Sequence, residues 1–294
     1  MTAQHWDPTA SLPETLMPLS AFAPFVEGLD HPEGVACSPD GSLYAGGEAG
    51  QIYRVSLEGT FEEIANIGGF ALGLCFDGNG AIYACENSTH VVKRIGPDGS
   101  VSIYSEGAPN RRLTTPNYPV FDAAGNLYVS DSGDWNAHNG CIFRIRPGGA
   151  TEVFTDNVVS FPNGMAMHPS GSHLYAVVSQ ECAVVRVEIQ RDGKAGSIET
   201  VVELPHNTPD GLAFDEIDNL YVSCYSPDVI YRVDPAGQLR VLAADWERVV
   251  LAAPTNLAFC GPDRKRLVVG SLGRWHLSAA DMEIPGARLN YPII

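Results

Sequence analysis

The sequence predicts an all-β chain built as a six-bladed β-propeller, and three observations carry that prediction. A short motif recurs six times at a near-constant spacing, each repeat holds four short strand signals, and no convincing helix separates them. The motif is a turn-like lead-in, a variable residue and then a short apolar run: "DHPEGVAC" from Asp30, "TTPNYPVF" from Thr114, "SFPNGMAM" from Ser160 and "NTPDGLAF" from Asn207. The variable positions are Glu33, Leu72, Asn117, Asn163, Asp210 and Thr255, separated by 39, 45, 46, 47 and 45 residues.

Within each repeat, the first strand is the run after the variable residue. The second follows a turn, as in "SPDGSLYAGG", "DAAGNLYVSD" and "DEIDNLYVSC". The third is a run such as "GQIYRV", "VVKRI" or "CIFRI". After turns such as "PDGS" and "PAGQ" comes the fourth, for example "VSIYS" or "LRVLAA". The sixth repeat lacks a clear fourth strand, whereas "AFAPFV" (Ala21 to Val26) precedes the first repeat in the phase of one. The N-terminal strand is therefore expected to complete the last blade and close the ring, leaving no open edge. Residues 1–20 are read as a tail and 21–294 as one propeller domain.

Composition narrows the function. The chain has 294 residues, 45% apolar and 18% charged, as an ordinary folded protein does. Thirty-five acidic residues against 18 basic ones give a net charge of −17, which disfavours nucleic acid and anionic membrane surfaces as partners. No apolar run reaches the roughly 18 residues of a membrane helix, and the first twenty residues lack the pattern of a signal peptide, so a cytoplasmic protein is expected. Seven scattered cysteines without a CxxC pair argue against a disulfide framework or a thiolate zinc site.

The variable residues fall where the fourth strand of one blade crosses to the first strand of the next. All six are thus expected at one mouth of the central channel. Glu33, Asn117, Asn163 and Asp210 bring two carboxylates and two amide carbonyls to a common axis, with no thiolate or imidazole, a donor set that suits a hard divalent cation. A bound water would need a base, for which Asp210 and Glu33 both qualify by position. The longest inter-strand loop, "SDSGDWNAHNG" (Ser130 to Gly140), brings Trp135 and Asn136 to this face, and "SLGRWHLS" brings Trp275. His31, His206, Cys85, Glu86, Glu181 and Tyr225 are lesser candidates.

The stretches "GLDHPEGVACSPDGSLY", "PNYPVFDAAGNLYVSD", "FPNGMAMHPSGSHLY", "TPDGLAFDEIDNLYVS" and "APTNLAFCGPDRKRLVVGSLG" resemble the family of senescence marker protein, gluconolactonase and luciferin-regenerating enzyme. The likeness runs from about Phe22 to the C-terminus. It implies a metal-dependent hydrolase of a sugar-acid or related small lactone, a carboxylic ester hydrolase. Calcium is the common ion of such proteins, with zinc, manganese, magnesium or iron(II) in some. By the same resemblance Glu33, Asn163 and Asp210 are metal ligands, Asn117 meets metal or substrate, and Asp210 is preferred as base. One branch of the family has an Arg two residues before the position of Asn117, where this chain has Thr115; Arg111 and Arg112, slightly upstream, are the substitutes expected to bind substrate. The alternatives are a phosphotriesterase-like hydrolase on the same metal site, a condensing propeller similar to strictosidine synthase, and a non-catalytic calcium-binding propeller.

Overall fold

The computed structural model describes residues 14–204 and 206–294. Six four-stranded antiparallel sheets follow one another along the chain. Blade 1 comprises Val35–Cys37, Leu43–Gly46, Gln51–Val55 and Phe61–Asn66, and blade 2 Ala71–Phe76, Ile82–Glu86, Val91–Ile95 and Val101–Ser105. Blade 3 comprises Pro116–Phe121, Leu127–Asp131, Cys141–Ile145 and Thr151–Thr155, and blade 4 Pro162–Met167, His173–Val178, Ala183–Ile189 and Ala195–Glu203. Blade 5 comprises Pro209–Phe214, Leu220–Tyr225, Asp228–Val233 and Leu239–Ala244. Blade 6 takes Pro254–Cys260, Arg266–Ser271 and His276–Asp281 from the C-terminal end and Ala23–Glu27 from the N-terminal end, the last pairing Val26 with Leu277. The first strand of each blade packs against the first strands of its two neighbours, and the strands of blades 6 and 1 close the circle.

A four-stranded sheet exposes two apolar faces that only a neighbouring sheet can cover. The buried side chains accordingly sort into six clusters, one at each interface. Tyr83 and Cys85 meet Phe121 and Phe143 between blades 2 and 3, and Tyr175 and Val177 meet Leu212 and Phe214 between blades 4 and 5. At the closing seam Val26, Cys260 and Val268 meet Val35, Cys37 and Leu43. The recurrent "LY" of the second strands has a specific role. Tyr83, Tyr128 and Tyr221 each reach the aspartate that organises the far-face turn, with Tyr221 Oη donating to Asp215 Oδ2 at 3.0 Å.

Two segments go beyond the repeat. Leu16 and Met17, within the stretch read as a tail, donate backbone hydrogen bonds to Val241 and Leu242 on the edge of blade 5, and both side chains join the core between blades 5 and 6. An edge strand with unpaired carbonyls is a ready partner for an extended segment. At the other end, residues 285–294 cross the far face: Ala287 N–H donates to Phe214 O, Tyr291 Oη to Cys37 O, and Gly78 N–H to Pro292 O. They cover an apolar cavity of about 100 Å³ ringed by the first strands. Among the described residues no helix is long and apolar enough to cross a membrane.

Candidate active site

The mouth opposite that strap is shaped by a device repeated in the first strands. Pro116, Pro162, Pro209 and Pro254 open four of them, a position that needs no backbone donor. The next residue is the variable one, and the pairing register slips there: between Pro116 and Pro119, Pro162 and Met165, Pro209 and Leu212, and Pro254 and Leu257, as it does between Ala71 and Leu74. Such an irregularity re-aims a side chain out of the strand's alternation.

Glycine follows the variable residue in four blades for a measurable reason. A Cβ on Gly34 would lie 1.9 Å from Leu72 O, on Gly164 2.3 Å from Asp210 O, and on Gly211 2.5 Å from Thr255 O. Each glycine thus lets the next blade's variable residue come close to the ring. The backbones are also pinned from behind by serines at the ends of the second strands. Ser130 Oγ donates to Asn163 O at 2.7 Å, Ser179 Oγ to Pro209 O at 2.8 Å, and Ser223 Oγ to Thr255 O.

The outcome is a layer of buried side chains: Glu33, Leu72, Asn117, Asn163, Asp210 and Thr255. Asn163 Nδ2 donates to Asp210 Oδ2 at 3.2 Å and lies 3.4 Å from Ser179 Oγ. Thr255 Oγ1 donates to Glu33 O at 3.0 Å, so its hydroxyl serves the backbone of blade 1. Asn117 Oδ1, Asn163 Oδ1 and Asp210 Oδ1 are buried with no hydrogen-bond partner. Unpaired buried acceptors are costly in folded proteins, and three in one layer are bonding capacity that a cation could meet.

The titration of the two carboxyls agrees with that description. Burial, and then the charge of Asp210, push the Glu33 carboxyl well above the usual carboxylate range. Burial pushes Asp210 up to about 7, against the opposing hydrogen bond from Asn163. Two carboxyls in one dry pocket resist joint ionisation unless a cation compensates them. Tyr225, at the end of a second strand, feels both charges, and burial followed by these charges raises its phenol to about 12. Four oxygen-bearing side chains, two of them acidic, therefore fit a divalent cation by donor type, charge and unmet bonding capacity.

The residues expected around the mouth fall into two groups. Trp135 stands on the exposed loop after Asp131 and packs its ring on Phe161 at 4.7 Å, while Asn136 beside it is exposed. Trp275 is exposed and packs on His31 at 5.4 Å. The arginines are engaged elsewhere. Arg112 pairs with Glu106 at 2.6 Å, both exposed, and Arg111 donates to Asn139 O at 2.5 Å, fastening the Trp135 loop. Thr115 and Thr114 give their backbone N–H groups to the buried carboxylate of Asp131. Glu86 likewise caps its own loop by accepting from Ser88 and Thr89 N–H.

Some participants were not singled out by sequence. Asn256 Nδ2 donates to Glu33 O at 3.1 Å and its Oδ1 is buried without a partner; Ser179 supports Asn163. Asn256 carried a signal, since it occupies the place after the variable residue where four other blades have glycine. His31, a lesser candidate by sequence, stands in a rim cluster whose acidic members were not singled out: its Nδ1 lies 3.1 Å from Asp30 Oδ1 and 2.9 Å from Glu48 Oε2. The cluster's polar atoms satisfy one another and the backbone N–H of Ala49.

With fold and site in place, the chain can be set beside known proteins. Residues 48–273 match the SMP-30/gluconolactonase/LRE-like region, and the chain belongs to that family. A shorter stretch, residues 26–55, matches the N-terminal part of strictosidine synthase-like proteins. Lactonase drp35 of Staphylococcus aureus (strain MW2) is 24% identical over 183 residues, covering 59% of this chain and about half, 53%, of that protein. Among solved structures, a gluconolactonase of Xanthomonas campestris superposes with a TM-score of 0.77 at 20% identity, over 90% of this chain and 89% of that one. Regucalcin from Agrobacterium tumefaciens, a calcium-binding protein, gives 0.76 at 18% identity, over 95% and 100%. At these identities the structural likeness speaks for the six-bladed fold alone.

Proposed function

We propose that the protein is a metal-dependent lactonase acting on a sugar-acid or related small lactone. The observation that carries this is the set of unpartnered buried oxygens of Asn117, Asn163 and Asp210, gathered with the Glu33 carboxyl in the axial layer. Membership of a family whose relatives include a lactonase and a gluconolactonase supports the reaction type. The calcium-binding relative and the all-oxygen donor set support calcium as the ion, with zinc, manganese, magnesium and iron(II) as alternatives.

Glu33, Asn163 and Asp210, with Asn117 at or beside them, would hold the ion. When bound, a divalent cation there polarises a lactone carbonyl and stabilises the negative charge that develops on its oxygen. The chain supplies the rest. Asp210 accepts a proton from water as the water oxygen bonds to the carbonyl carbon, and returns it to the ring oxygen as the carbon–oxygen bond breaks, leaving an open hydroxy acid. Leu72 and the Trp135–Phe161 pair present apolar surface to the body of the ring. Because Arg111 and Arg112 are tied to Asn139 and Glu106, recognition of a polyhydroxylated acid falls instead to the amides of Asn117 and Asn136.

The test is a hydrolysis screen of aldonolactones, aliphatic lactones and a fluorophosphate after loading with each metal in turn, read by pH-stat. Lactone turnover that requires metal is the expected result. Fluorophosphate turnover without lactone turnover, or no turnover under any metal, overturns the proposal.

A further inference from the structure

The repeat brings together, on the face away from the site, one pair of side chains per interface. Five residues after the variable position come Ser38, Asp77, Asp122, His168, Asp215 and Cys260; four residues after it come Cys37, Phe76, Phe121, Met167, Phe214 and Phe259. The first kind in one blade meets the second kind in the next, as the ring contact of His168 with Phe214 at 5.3 Å shows. At the closing seam this rule pairs Cys260 of blade 6 with Cys37 of blade 1. The two thiols lie in the same buried core cluster, and Cys37 Sγ donates to Ser38 O at 3.5 Å. Other interfaces place a large ring or a turn-capping carboxylate there, and only this seam places two sulfurs.

We infer that Cys37 and Cys260 are a modification site, an oxidisable pair that forms a disulfide across the ring closure when the protein meets a peroxide. Cys37 is the attacking sulfur because it alone of the two borders a surface pocket of about 240 Å³, together with Arg264, Arg288 and Tyr291. The neighbouring Cys260, with Arg264 adding to its effect, holds the Cys37 thiol below its ordinary range, and Cys37 together with burial pushes Cys260 above its own. Cys37 sulfur takes one oxygen of hydrogen peroxide as the O–O bond breaks, giving a sulfenic acid and one water. Cys260 sulfur then attacks Cys37 sulfur, the S–O bond breaks, and a second water leaves with the thiol proton. Two thiols lose two electrons and the peroxide is reduced to two waters. The other five cysteines, Cys75, Cys85, Cys141, Cys182 and Cys224, are free like this pair.

The bond would join residues 223 apart in the chain, at the seam held otherwise by the N-terminal strand, so it constrains the opening of the ring. The full-length protein is treated with hydrogen peroxide, alkylated under denaturing conditions and analysed by peptide mass spectrometry. We expect the thiol count to fall from seven to five, with one linked peptide pair containing Cys37 and Cys260, and the melting temperature to rise by roughly 5 °C, reversed by dithiothreitol. Cys260→Ser should stop at a sulfenic acid on Cys37 that dimedone traps, and Cys37→Ser should keep its remaining six thiols. Seven surviving thiols, a linkage through other cysteines, or a Cys260→Ser protein that still loses two thiols would overturn the assignment.

Discussion

Asn163 Nδ2 donates to Asp210 Oδ2 at 3.2 Å, and each residue then holds its Oδ1 buried and unpaired. The bond fixes which end of the amide faces Asp210, so it also fixes where Asn163 Oδ1 stands. It separates the duties of the acids as well. Asp210→Asn keeps an oxygen for the cation but removes a charge and the proton acceptor, so lactone turnover should fall by roughly two to four orders of magnitude with metal still bound at saturation. Glu33→Gln should act through metal affinity, and excess metal should restore part of its rate. Steady-state kinetics with calorimetric metal titration distinguish the two, and a fully active Asp210→Asn enzyme would end the base assignment.

The same two acids set a pH dependence for the metal-stripped protein. Both bind a proton more tightly folded than unfolded, Asp210 moving from an ordinary 3.8 to about 7. Their contribution to stability is therefore complete below about pH 4 and is lost as pH rises through about 7. Urea unfolding of metal-free protein should show a midpoint that drops across this window, and the Asp210→Asn protein a flatter profile. Adding a divalent cation should reverse the drop, because metal binds the ionised carboxylates and releases protons.

Much of this was legible in the sequence, for a physical reason. The Pro, variable residue and Gly recur because each has a duty set by the ring: a strand start without a donor, a re-aimed side chain, and room for the next blade's carbonyl. The closure by "AFAPFV" could be read because the sixth repeat was one strand short. What could not be read were interactions made between blades by residues outside the motif. Arg111 looked free for substrate, yet it serves the carbonyl of Asn139, 28 residues on. Ser179 lies in a run that reads as ordinary strand, and its bond to Pro209 O exists only once blades 4 and 5 are stacked. The C-terminal residues carry no repeat at all, so nothing placed them across the far face.

Ser179 gives a sharper test of that support than any ligand does. Its hydroxyl donates to Pro209 O and faces Asn163 Nδ2, touching the backbone beside one proposed ligand and the side chain of another. Ser179→Ala should weaken metal affinity by roughly 10-fold, as loss of an orienting partner does, while kcat at saturating metal changes little. Calorimetric titration of the purified variant checks it, and unchanged affinity would show the hydroxyl to be idle.

The spacing of blades 4 and 5 depends on the absence of one methyl group. A Cβ on Gly164 would sit 2.3 Å from Asp210 O and 2.7 Å from Gly211 Cα, both backbone atoms that cannot swing aside. Gly164→Ala must therefore push the first strand of blade 5 away from blade 4, lengthening the Asn163–Asp210 hydrogen bond. Overpacking of this kind costs roughly 1–3 kcal/mol, which should appear as a lower urea midpoint. The displaced pair should also bind metal more weakly than either stability or charge would suggest, since the variant alters no ligand and no charge. Gly237→Ala supplies the comparison: that turn glycine has open space around it but a positive φ of 83°, so it should lose stability while keeping metal affinity. A Gly164→Ala protein with wild-type metal affinity would mean that the distance between Asn163 and Asp210 is not what the glycine protects.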